Sequence, residues 1–242
     1  MYLLDILVST FATYAYEDGT YEEVDNPRFF ARHRIAVERA QQHLDAVTVK
    51  DSIGRPRNSK SLIRISAKRA LGRAKTRQAN CLKDFQHKLS AQEVAENALL
   101  VTEELTVANM TKSAKGTVEK PGKSVAQKAG LNREILATAP ARYNAMRKYK
   151  AEEAGVLLVT TPTKKLKPTQ RCSGCWKLPT KKKTLGDRIH HCEFCGLILG
   201  RDKNAARVNL LWAFKMLIAA DNPLGQELAG NSIPIFLQNW VE

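Results

Sequence analysis

Four cysteines near the carboxyl end of the chain form two Cys-x-x-Cys pairs. Cys172 is followed by Cys175, Cys192 is followed by Cys195, and sixteen residues separate the pairs. This spacing predicts a zinc ribbon, in which each pair lies on a tight turn and the intervening hairpin closes a tetrahedral site of thiolates. Four thiolates leave zinc no open coordination position, so the predicted metal is structural.

A disulfide framework is the alternative interpretation of these cysteines. The chain begins MYLLDILVST, which does not resemble a secretory signal, and Cys81 is the one further cysteine. Both features disfavour disulfides and indicate a reducing, cytosolic compartment. His190 and His191 adjoin the second pair and could replace a sulfur. Because four cysteines already complete the site, we interpret the histidines as exposed or as hydrogen-bond partners of the zinc ligands.

Three acidic residues occupy positions where carboxylates could hold divalent cations. Asp5 lies inside an apolar strand-like run, Glu103 ends a second such run at 98–102, and Asp202 begins the last helix. Simpler explanations exist: Asp5 could be solvated on a frayed first strand, and Asp202 could be a helix N-cap. Together, on a basic chain, the three acids have the distribution needed to bind cations beside a phosphodiester.

The charge of the chain favours a polyanionic partner. The formal net charge is +15, and residues 50–88 carry twelve Lys or Arg against two Asp. A merely soluble basic protein is the alternative, but so one-sided a segment predicts contact with nucleic-acid phosphates. No apolar run approaches the length of about eighteen residues that a membrane span needs. The residues assigned to nucleic-acid binding are Arg64, Lys68, Arg73, Lys75, Arg77, Lys181, Lys182 and Lys183.

Hydrophobic periodicity predicts the elements that position these residues. Asp18-Gly19 between two β-prone runs predicts a hairpin within an antiparallel opening meander. Two long amphipathic helices should follow, separated by a turn-rich segment at 52–58. The remaining order predicts a mixed α/β sheet. The predicted elements of this part of the chain are, in order, a buried strand ending at Glu103, a mobile loop at 109–130, a helix at 131–153 that Pro140 interrupts, a buried strand at 155–160, the ribbon and a last helix.

The motifs, taken in order, resemble the TnpB (OrfB) proteins of bacterial insertion sequences. They read LLDILVSTFAT at 3–13, HKLS at 87–90, VTEEL at 101–105, GLNREIL at 130–136 and RDKNAA at 201–206, with the four-cysteine ribbon before the last. The resemblance covers nearly the whole chain. It implies an RNase H-like (RuvC-type) mixed sheet with flanking helices and an inserted zinc ribbon. It also implies that Asp5, Glu103 and Asp202 are catalytic acids that bind Mg²⁺; Glu104 is not assigned a role.

The resemblance implies an organisation and an activity for the chain. Residues 1–163 would form the nuclease core, 164–199 the ribbon, 200–220 the helix with the third acid, and 221–242 a tail that packs on the sheet edge or a partner. The implied activity is RNA-guided DNA cleavage by a two-metal mechanism, in the bacterial cytoplasm at the nucleoid.

Departures from the family pattern keep other functions open. Full-length relatives carry an N-terminal half that grips guide RNA and reads target DNA, whereas this chain begins two residues before the first catalytic strand. Leu3 and Leu7 stand where the family usually has glycine, and Trp176 replaces the glycine after the second cysteine, where it could stack on a base or cover the ribbon. A truncated, non-catalytic nucleic-acid-binding remnant is therefore the alternative function. A zinc-stabilised adaptor for another protein is a third hypothesis.

Overall fold

The computed structural model describes residues 2–4, 10–117, 119–184, 186–220 and 222–224. The chain divides into one unit of Met1–Asn26 and Ser90–Glu242 and a second unit of Pro27–Leu89. None of the helices in this described part has both the length and the apolar character needed to cross a bilayer. The elements in order are β1 (Tyr2–Leu4), β2 (Thr10–Ala15), β3 (Tyr21–Asp25), α1 (Phe29–Ala46), α2 (Leu62–Glu96), β4 (Leu99–Glu103), α3 (Val107–Met110), α4 (Val125–Thr138), α5 (Pro140–Ala154), β5 (Leu157–Thr161), α6 (Thr163–Leu166), β6 (Ile189–His191), β7 (Ile198–Gly200) and α7 (Arg201–Ala219).

A three-stranded parallel sheet with the order β1-β4-β5 forms the centre of the first unit. Leu4 pairs with Thr102 in the first strand pair, and Glu103 pairs with Thr161 in the second. Every residue of the central strand β4 is buried, as expected for an apolar strand of a parallel sheet. The predicted buried strand ending at Glu103 is therefore confirmed. Strand β5 lies at the edge of this sheet and is mostly half-buried.

The hairpin predicted from Asp18-Gly19 is present as β2 and β3, which pair antiparallel. Gly19 adopts the left-handed φ of 85°, which glycine adopts without steric cost. The carboxylate of Asp18 accepts hydrogen bonds from the backbone N–H and the hydroxyl of Thr20, at 2.8 and 2.6 Å. Strand β1 pairs in parallel with β4. Residues 5–9, through which the predicted antiparallel meander would continue from β1, lie outside the described residues.

Helix α7 covers the sheet and completes the core of the first unit. Its buried apolar side chains recur at helical spacing and pack with Leu99 and Val101 of β4 and Ala15 of β2. This packing fixes the rotation of α7 about its axis, and therefore the direction in which its polar residues project. The α7 residues of this cluster are Ala206, Leu210, Leu211, Ala213, Phe214 and Leu217.

A buried cluster of charged and phenolic side chains contacts β4. Glu93 accepts hydrogen bonds from the hydroxyls of Tyr14 and Tyr143, each at 2.7 Å, and from Nε of Arg147 at 2.8 Å. The Arg147 guanidinium also donates to the backbone carbonyl of Val101, at 3.3 Å. Burial raises the pKa values of both tyrosines, and the Glu93 carboxylate raises them further, so the phenols remain protonated donors. The cluster therefore connects β2, α2 and α5 to the strand that ends in Glu103.

The predicted helix at 131–153 is two helices, because Pro140 occupies the first turn of α5. Ala139 between them has a left-handed φ of 46° and ends α4 while it begins α5. Proline is favoured at such a helix start, where its missing N–H has no intrahelical partner. The predicted loop at 109–130 is partly wrong, since α3 extends to Met110 and α4 begins at Val125.

The second unit consists of α1 and most of α2, so the two predicted helices are confirmed. The rings of Phe29 and Phe85 pack edge to face, with centroids 6.0 Å apart. In the connecting segment, Asp51 Oδ1 accepts the backbone N–H groups of Ile53 and Arg55. This is the local turn chemistry that short acidic side chains provide. Cys81, the cysteine outside the two Cys-x-x-Cys pairs, is half-buried.

Candidate metal centres

The four cysteines converge on one point. Their sulfur atoms lie within 4.8 Å of one another. Sγ of Cys172 is 3.6 Å from Sγ of Cys195, and Sγ of Cys175 is 3.5 Å from Sγ of Cys192. These separations far exceed the disulfide bond length of about 2.05 Å. They approach the edge of roughly 3.8 Å that follows from a zinc–sulfur distance of about 2.3 Å in a tetrahedron. The residues present therefore fit a four-thiolate zinc site.

The two cysteine turns have the same backbone hydrogen bonds. The N–H of Trp176 donates to the carbonyl of Cys172, and the N–H of Gly196 donates to the carbonyl of Cys192. The first cysteine of each pair also donates its own N–H to the carbonyl five residues later. A backbone N–H of Gly174 points at the sulfur of Cys172, at 3.3 Å. Such donors stabilise a thiolate, so the turns are prepared for a metal ion.

The thiols differ in how readily they lose a proton. Burial raises the pKa of the Cys172 thiol to about 12. Burial would also raise the pKa of Cys192, but backbone N–H groups of Cys195 and Phe194 and two neighbouring thiols bring it down to about 7. Because zinc binds thiolates, loading the site releases protons, and its zinc affinity should fall in acid.

Trp176 anchors the ribbon to the core of the first unit. Its side chain packs against the cluster formed by α7 and the sheet. The Arg171 guanidinium lies 5.2 Å from the centroid of the indole ring and donates to the Trp176 carbonyl, at 2.8 Å. Trp176 has a left-handed φ of 61°, and the equivalent position of the second turn is Gly196, with φ of 72°. This packing is compatible with the covering role, and stacking of Trp176 on a base stays a prediction.

His190 and His191 differ in environment. His191 is exposed, whereas His190 is buried and its Nδ1 lies 2.6 Å from Nζ of Lys183. Burial, together with the charge of Lys183, lowers the pKa of His190 to about 4. The imidazole is therefore neutral at pH 7, and its Nδ1 accepts a hydrogen bond from the Lys183 ammonium. This contact also occupies Lys183, which we predicted to bind nucleic acid.

Asn204 joins the ribbon to α7. Its side chain is fully buried, and Oδ1 accepts the backbone N–H of Ser173 at 3.0 Å. Nδ2 donates to the carbonyl of Arg171 at 2.7 Å. Both partners flank Cys172, so one asparagine connects the first cysteine turn to the first turns of the last helix. We predicted no role for Asn204 from the sequence, although its position before an apolar helical run was the available signal.

Glu103 is held by a second buried asparagine of α7. Nδ2 of Asn209 donates to Oε1 of Glu103 at 2.8 Å, and also to the carbonyl of Ala205 at 2.9 Å. The hydroxyl of Thr161 donates to Oδ1 of Asn209 at 2.7 Å. Glu103 is itself buried, 7% exposed, at the carboxyl end of β4. We predicted no role for Asn209 from the sequence either.

Asp202 lies in the first turn of α7 and is partly exposed. Gly200 is the N-cap of the helix, and no side chain caps it, so the alternative interpretation of Asp202 as an N-cap is wrong. Oδ1 of Asp202 instead lies 3.1 Å from Nε of Arg201, whose side chain is largely buried. Asp5, the remaining predicted acid, lies outside the described residues, as do Leu7 and the tail beyond Leu224.

The predicted basic residues of α2 are mostly solvent-exposed. Lys68, Arg73, Lys75 and Arg77 are exposed, whereas Arg64 is half-buried. Arg73 and Arg77 line an open depression on α2 that also includes Asn80 and Asp84. Lys181 and Lys182 in the ribbon are exposed too. This exposure is compatible with phosphate contact, and the assignment of these residues stays a prediction.

Two family models match the chain. The model described as "Probable transposase" matches residues 4–114, and the model described as "Cas12f1-like, TNB domain" matches residues 141–209. The first match contains Asp5 and Glu103. The second contains the four cysteines, Asp202 and Asn209.

Two curated proteins are similar to the chain. The "Putative RNA-guided DNA endonuclease InsQ" of Escherichia coli (strain K12) is 34% identical over 166 residues, which cover 66% of this chain and 40% of that protein. A "Putative RNA-guided DNA endonuclease" of Streptomyces pristinaespiralis is 30% identical over 195 residues, which cover 81% of this chain and 41% of that protein. The chain thus spans about two fifths of the length of the curated relatives it matches. By these matches and its motifs, the chain belongs to the TnpB/OrfB family of insertion-sequence proteins.

Proposed function

We propose that this chain is a metal-dependent DNA endonuclease of the TnpB type, built on an RNase H-like sheet. Asp5, Glu103 and Asp202 would hold two Mg²⁺ ions. Bound ions of this kind generate the attacking hydroxide and stabilise the leaving oxygen of a phosphodiester. The four cysteines would hold a structural zinc that takes no part in the reaction.

The hydrogen bond between Asn209 and Glu103 is the main observation that supports the proposal. It connects the acid at the end of β4 to α7, the helix that also bears Asp202. Asp202 and Asn209 are seven residues apart, so they lie on the same face of α7, separated by about 10 Å along its axis. Carboxylates that reached one region from a strand end and a helix start would suit a site for two cations about 4 Å apart.

The strand register supports the assignment of Asp5. Leu4, the residue before Asp5, pairs with Thr102, the residue before Glu103. The first two acids therefore follow residues that are direct neighbours on adjacent parallel strands. Both strands belong to the sheet that α7 covers. The positions of all three acids fall within the first unit.

DNA and a guide RNA are the proposed partners. The names of the two relatives describe RNA-guided action on DNA. In this chain the exposed basic side chains of α2 and of the ribbon would contact phosphates, which attract Lys and Arg without regard to base sequence. We assign the protein to the bacterial cytoplasm, where the thiols of the ribbon stay reduced.

A cleavage assay on single-stranded DNA tests the function. The purified chain, with and without its co-purifying RNA, should cut DNA in Mg²⁺ and not in EDTA. Glu103→Gln and Asp202→Ala should each lower the rate by about a hundredfold or more, because each removes a cation ligand. Glu104→Gln is the matched control, since Glu104 is the exposed neighbour of Glu103 and should be dispensable. Cleavage that survives Asp202→Ala would remove the proposed role of this acid.

A non-catalytic nucleic-acid-binding protein is the second candidate. It is favoured by the contact between Arg201 and Asp202, because a carboxylate already neutralised by a guanidinium is less available to a cation. This candidate predicts DNA binding of the same strength in the wild type and in Asp202→Ala, with no cutting by either. Robust Mg²⁺-dependent cleavage by the chain alone would exclude it.

A further inference from the structure

Asn209 is a polar residue in an apolar environment. It is fully buried, and its neighbours Val208, Leu210 and Leu211 are buried apolar side chains. A buried amide costs free energy unless its donors and acceptor are paired. The partners of Asn209 lie on three different elements: Ala205 on α7, Thr161 on β5 and Glu103 on β4.

The orientation of the Asn209 amide follows from the chemistry of these partners. The carboxylate of Glu103 and the carbonyl of Ala205 can only accept hydrogen bonds, so both must face Nδ2. The hydroxyl of Thr161 has one proton and lies 2.7 Å from Oδ1 of Asn209, but 3.3 Å from the carbonyl of Thr102. The hydroxyl therefore donates to Asn209. Thr161 orients the amide, and the amide orients Oε1 of Glu103.

We propose that Asn209 is a positioning residue that holds the Glu103 carboxylate in the orientation that binds a divalent cation, with Thr161 fixing the Asn209 amide. The inference rests on the proposed function, because it assigns a cation to Glu103. A carboxylate held by a buried donor loses little further rotational freedom when it binds a metal ion. Residues that orient a metal ligand in this way typically contribute about 10- to 100-fold to metal affinity.

Binding of Mn²⁺, used as a probe for the divalent cation, tests the inference without requiring activity. The full chain, purified in the presence of zinc, is titrated with Mn²⁺ and followed by electron paramagnetic resonance. We expect Asn209→Ala to raise the Mn²⁺ dissociation constant by about 10- to 100-fold. Thr161→Val, which replaces the hydroxyl by a methyl group, should raise this dissociation constant by a smaller factor.

Asn97→Ala is the matched control. Asn97 is a buried asparagine of the same unit, and its Nδ2 donates to the carbonyl of Glu93, four residues earlier, as Asn209 donates to Ala205. The two substitutions remove the same atoms and an equivalent hydrogen bond to the carbonyl four residues earlier, and Asn209→Ala also removes the hydrogen bond to Glu103. We expect the Mn²⁺ dissociation constant of Asn97→Ala to equal that of the wild type.

The Mg²⁺ dependence of cleavage gives a second readout. With Asn209→Ala, the Mg²⁺ concentration at half-maximal rate should rise about tenfold or more, while the rate at saturating Mg²⁺ recovers to within a few-fold. If Asn209 only stabilised the fold, Asn209→Ala would lower the melting temperature and the cleavage rate, as Asn97→Ala would. The Mg²⁺ concentration at half-maximal rate would then stay unchanged in both variants. If Asn209→Ala does not fold, Thr161→Val decides the question.

The outcomes separate this inference from the proposed function. Equal Mn²⁺ affinity in the wild type and the folded Asn209 and Thr161 variants overturns the inference, whether or not the chain cleaves DNA. Loss of Mn²⁺ binding in Glu103→Gln together with wild-type binding in Asn209→Ala also overturns it, and leaves the proposed site intact. A chain that binds Mn²⁺ in an Asn209-dependent way but cuts no DNA overturns the proposed function and supports the positioning role.

Discussion

Glu93 and Arg147 form a buried ion pair whose side chains are 0% and 1% exposed. Both tyrosine hydroxyls of the cluster donate to the same carboxylate, so Glu93 is well compensated as long as its partners are present. An ion pair of this kind contributes little net stability over an apolar replacement, but removing one partner leaves an unpaired buried charge. The Arg147 guanidinium also donates to the Val101 carbonyl, so the pair is joined to the strand that ends in Glu103.

Neutralising one partner of this pair should destabilise the first unit strongly. Glu93→Gln leaves the Arg147 guanidinium without a counter-charge, so the free energy of unfolding should fall by about 3–5 kcal/mol. Arg147→Met should have a similar cost, and the double substitution should cost less than the sum of the two. Urea unfolding of the three variants measures these changes.

The exposed pair of Asp84 and Lys88 is the control for this experiment. Its side chains are 64% and 76% exposed, and the pair lies at i, i+4 on α2. Lys88→Ala should change the free energy of unfolding by no more than about 0.5 kcal/mol. A loss below about 1 kcal/mol for Glu93→Gln would contradict the assignment of Glu93 as a buried, paired charge.

Strands of the first unit and the cysteine ribbon contact α7. The helix packs its apolar face on the sheet, contacts the cysteine ribbon through Asn204 and contacts β4 through Asn209. A ribbon of this size has too small a core to fold without its metal, and zinc typically contributes about 10–16 kcal/mol to such a site. Zinc bound to the four cysteines would therefore stabilise the ribbon directly and the start of α7 indirectly, at the turn that carries Asp202.

Zinc removal should unfold the ribbon before the sheet. After chelation, amide hydrogen exchange should accelerate first in β6 and β7, while β4 and β5 retain protection because α7 still covers them. The first turn of α7 should also lose protection, because Asn204 loses its fixed partners beside Cys172.

Asn204→Ala is the test of that connection. It leaves the Ser173 N–H without its acceptor, which should cost about 1–3 kcal/mol and speed zinc release. In this variant, protection at the first turn of α7 should no longer depend on zinc. Exchange that rises uniformly along the chain on chelation would show that the ribbon and the sheet unfold together, contrary to this account.

The molecule as a whole is a polycation. Its net charge of +15 produces a positive field that attracts nucleic acid over distances of about one Debye length. The exposed basic residues of α2 concentrate part of that charge on a single helix. Affinity from such contacts comes largely from the release of counterions, so it must fall as salt rises.

Replacing the exposed basic residues of α2 by glutamine should weaken the salt dependence of DNA binding. For single-stranded DNA, each phosphate contact contributes about 0.7 to the slope of log affinity against log salt. The fourfold variant of Lys68, Arg73, Lys75 and Arg77 should therefore lower the slope by up to roughly 3. Fluorescence anisotropy at several salt concentrations measures the affinity for DNA and therefore this slope.

A charge-matched variant controls for the loss of net charge. Lys112, Lys115, Lys120 and Lys123 are exposed lysines of the first unit, and replacing all four by glutamine removes the same charge. A smaller change in slope is expected for this control. Equal slopes for the two fourfold variants would mean that the net charge, and not a surface on α2, governs DNA binding.

The sequence by itself determined the features that depend on local spacing. Two residues between cysteines suffice to form each metal-binding turn, an Asp-Gly pair suffices for the hairpin, and a short apolar run ending in Glu103 predicts a buried strand. Helix ends were less well determined. Gly200 rather than Asp202 caps α7, because β7 extends to Gly200 and so sets where the helix can begin.

Only the tertiary structure decided which distant groups touch. Asn209 and Glu103 are 106 positions apart, and Tyr14 and Glu93 are 79 positions apart. The parallel pairing of β1 with β4 likewise joins segments that lie far apart in the chain. Local propensity carries no information about such pairs, because they form only when α7 and the sheet bury a common apolar core. The same packing orients Asn204 and Asn209 towards the ribbon and the sheet.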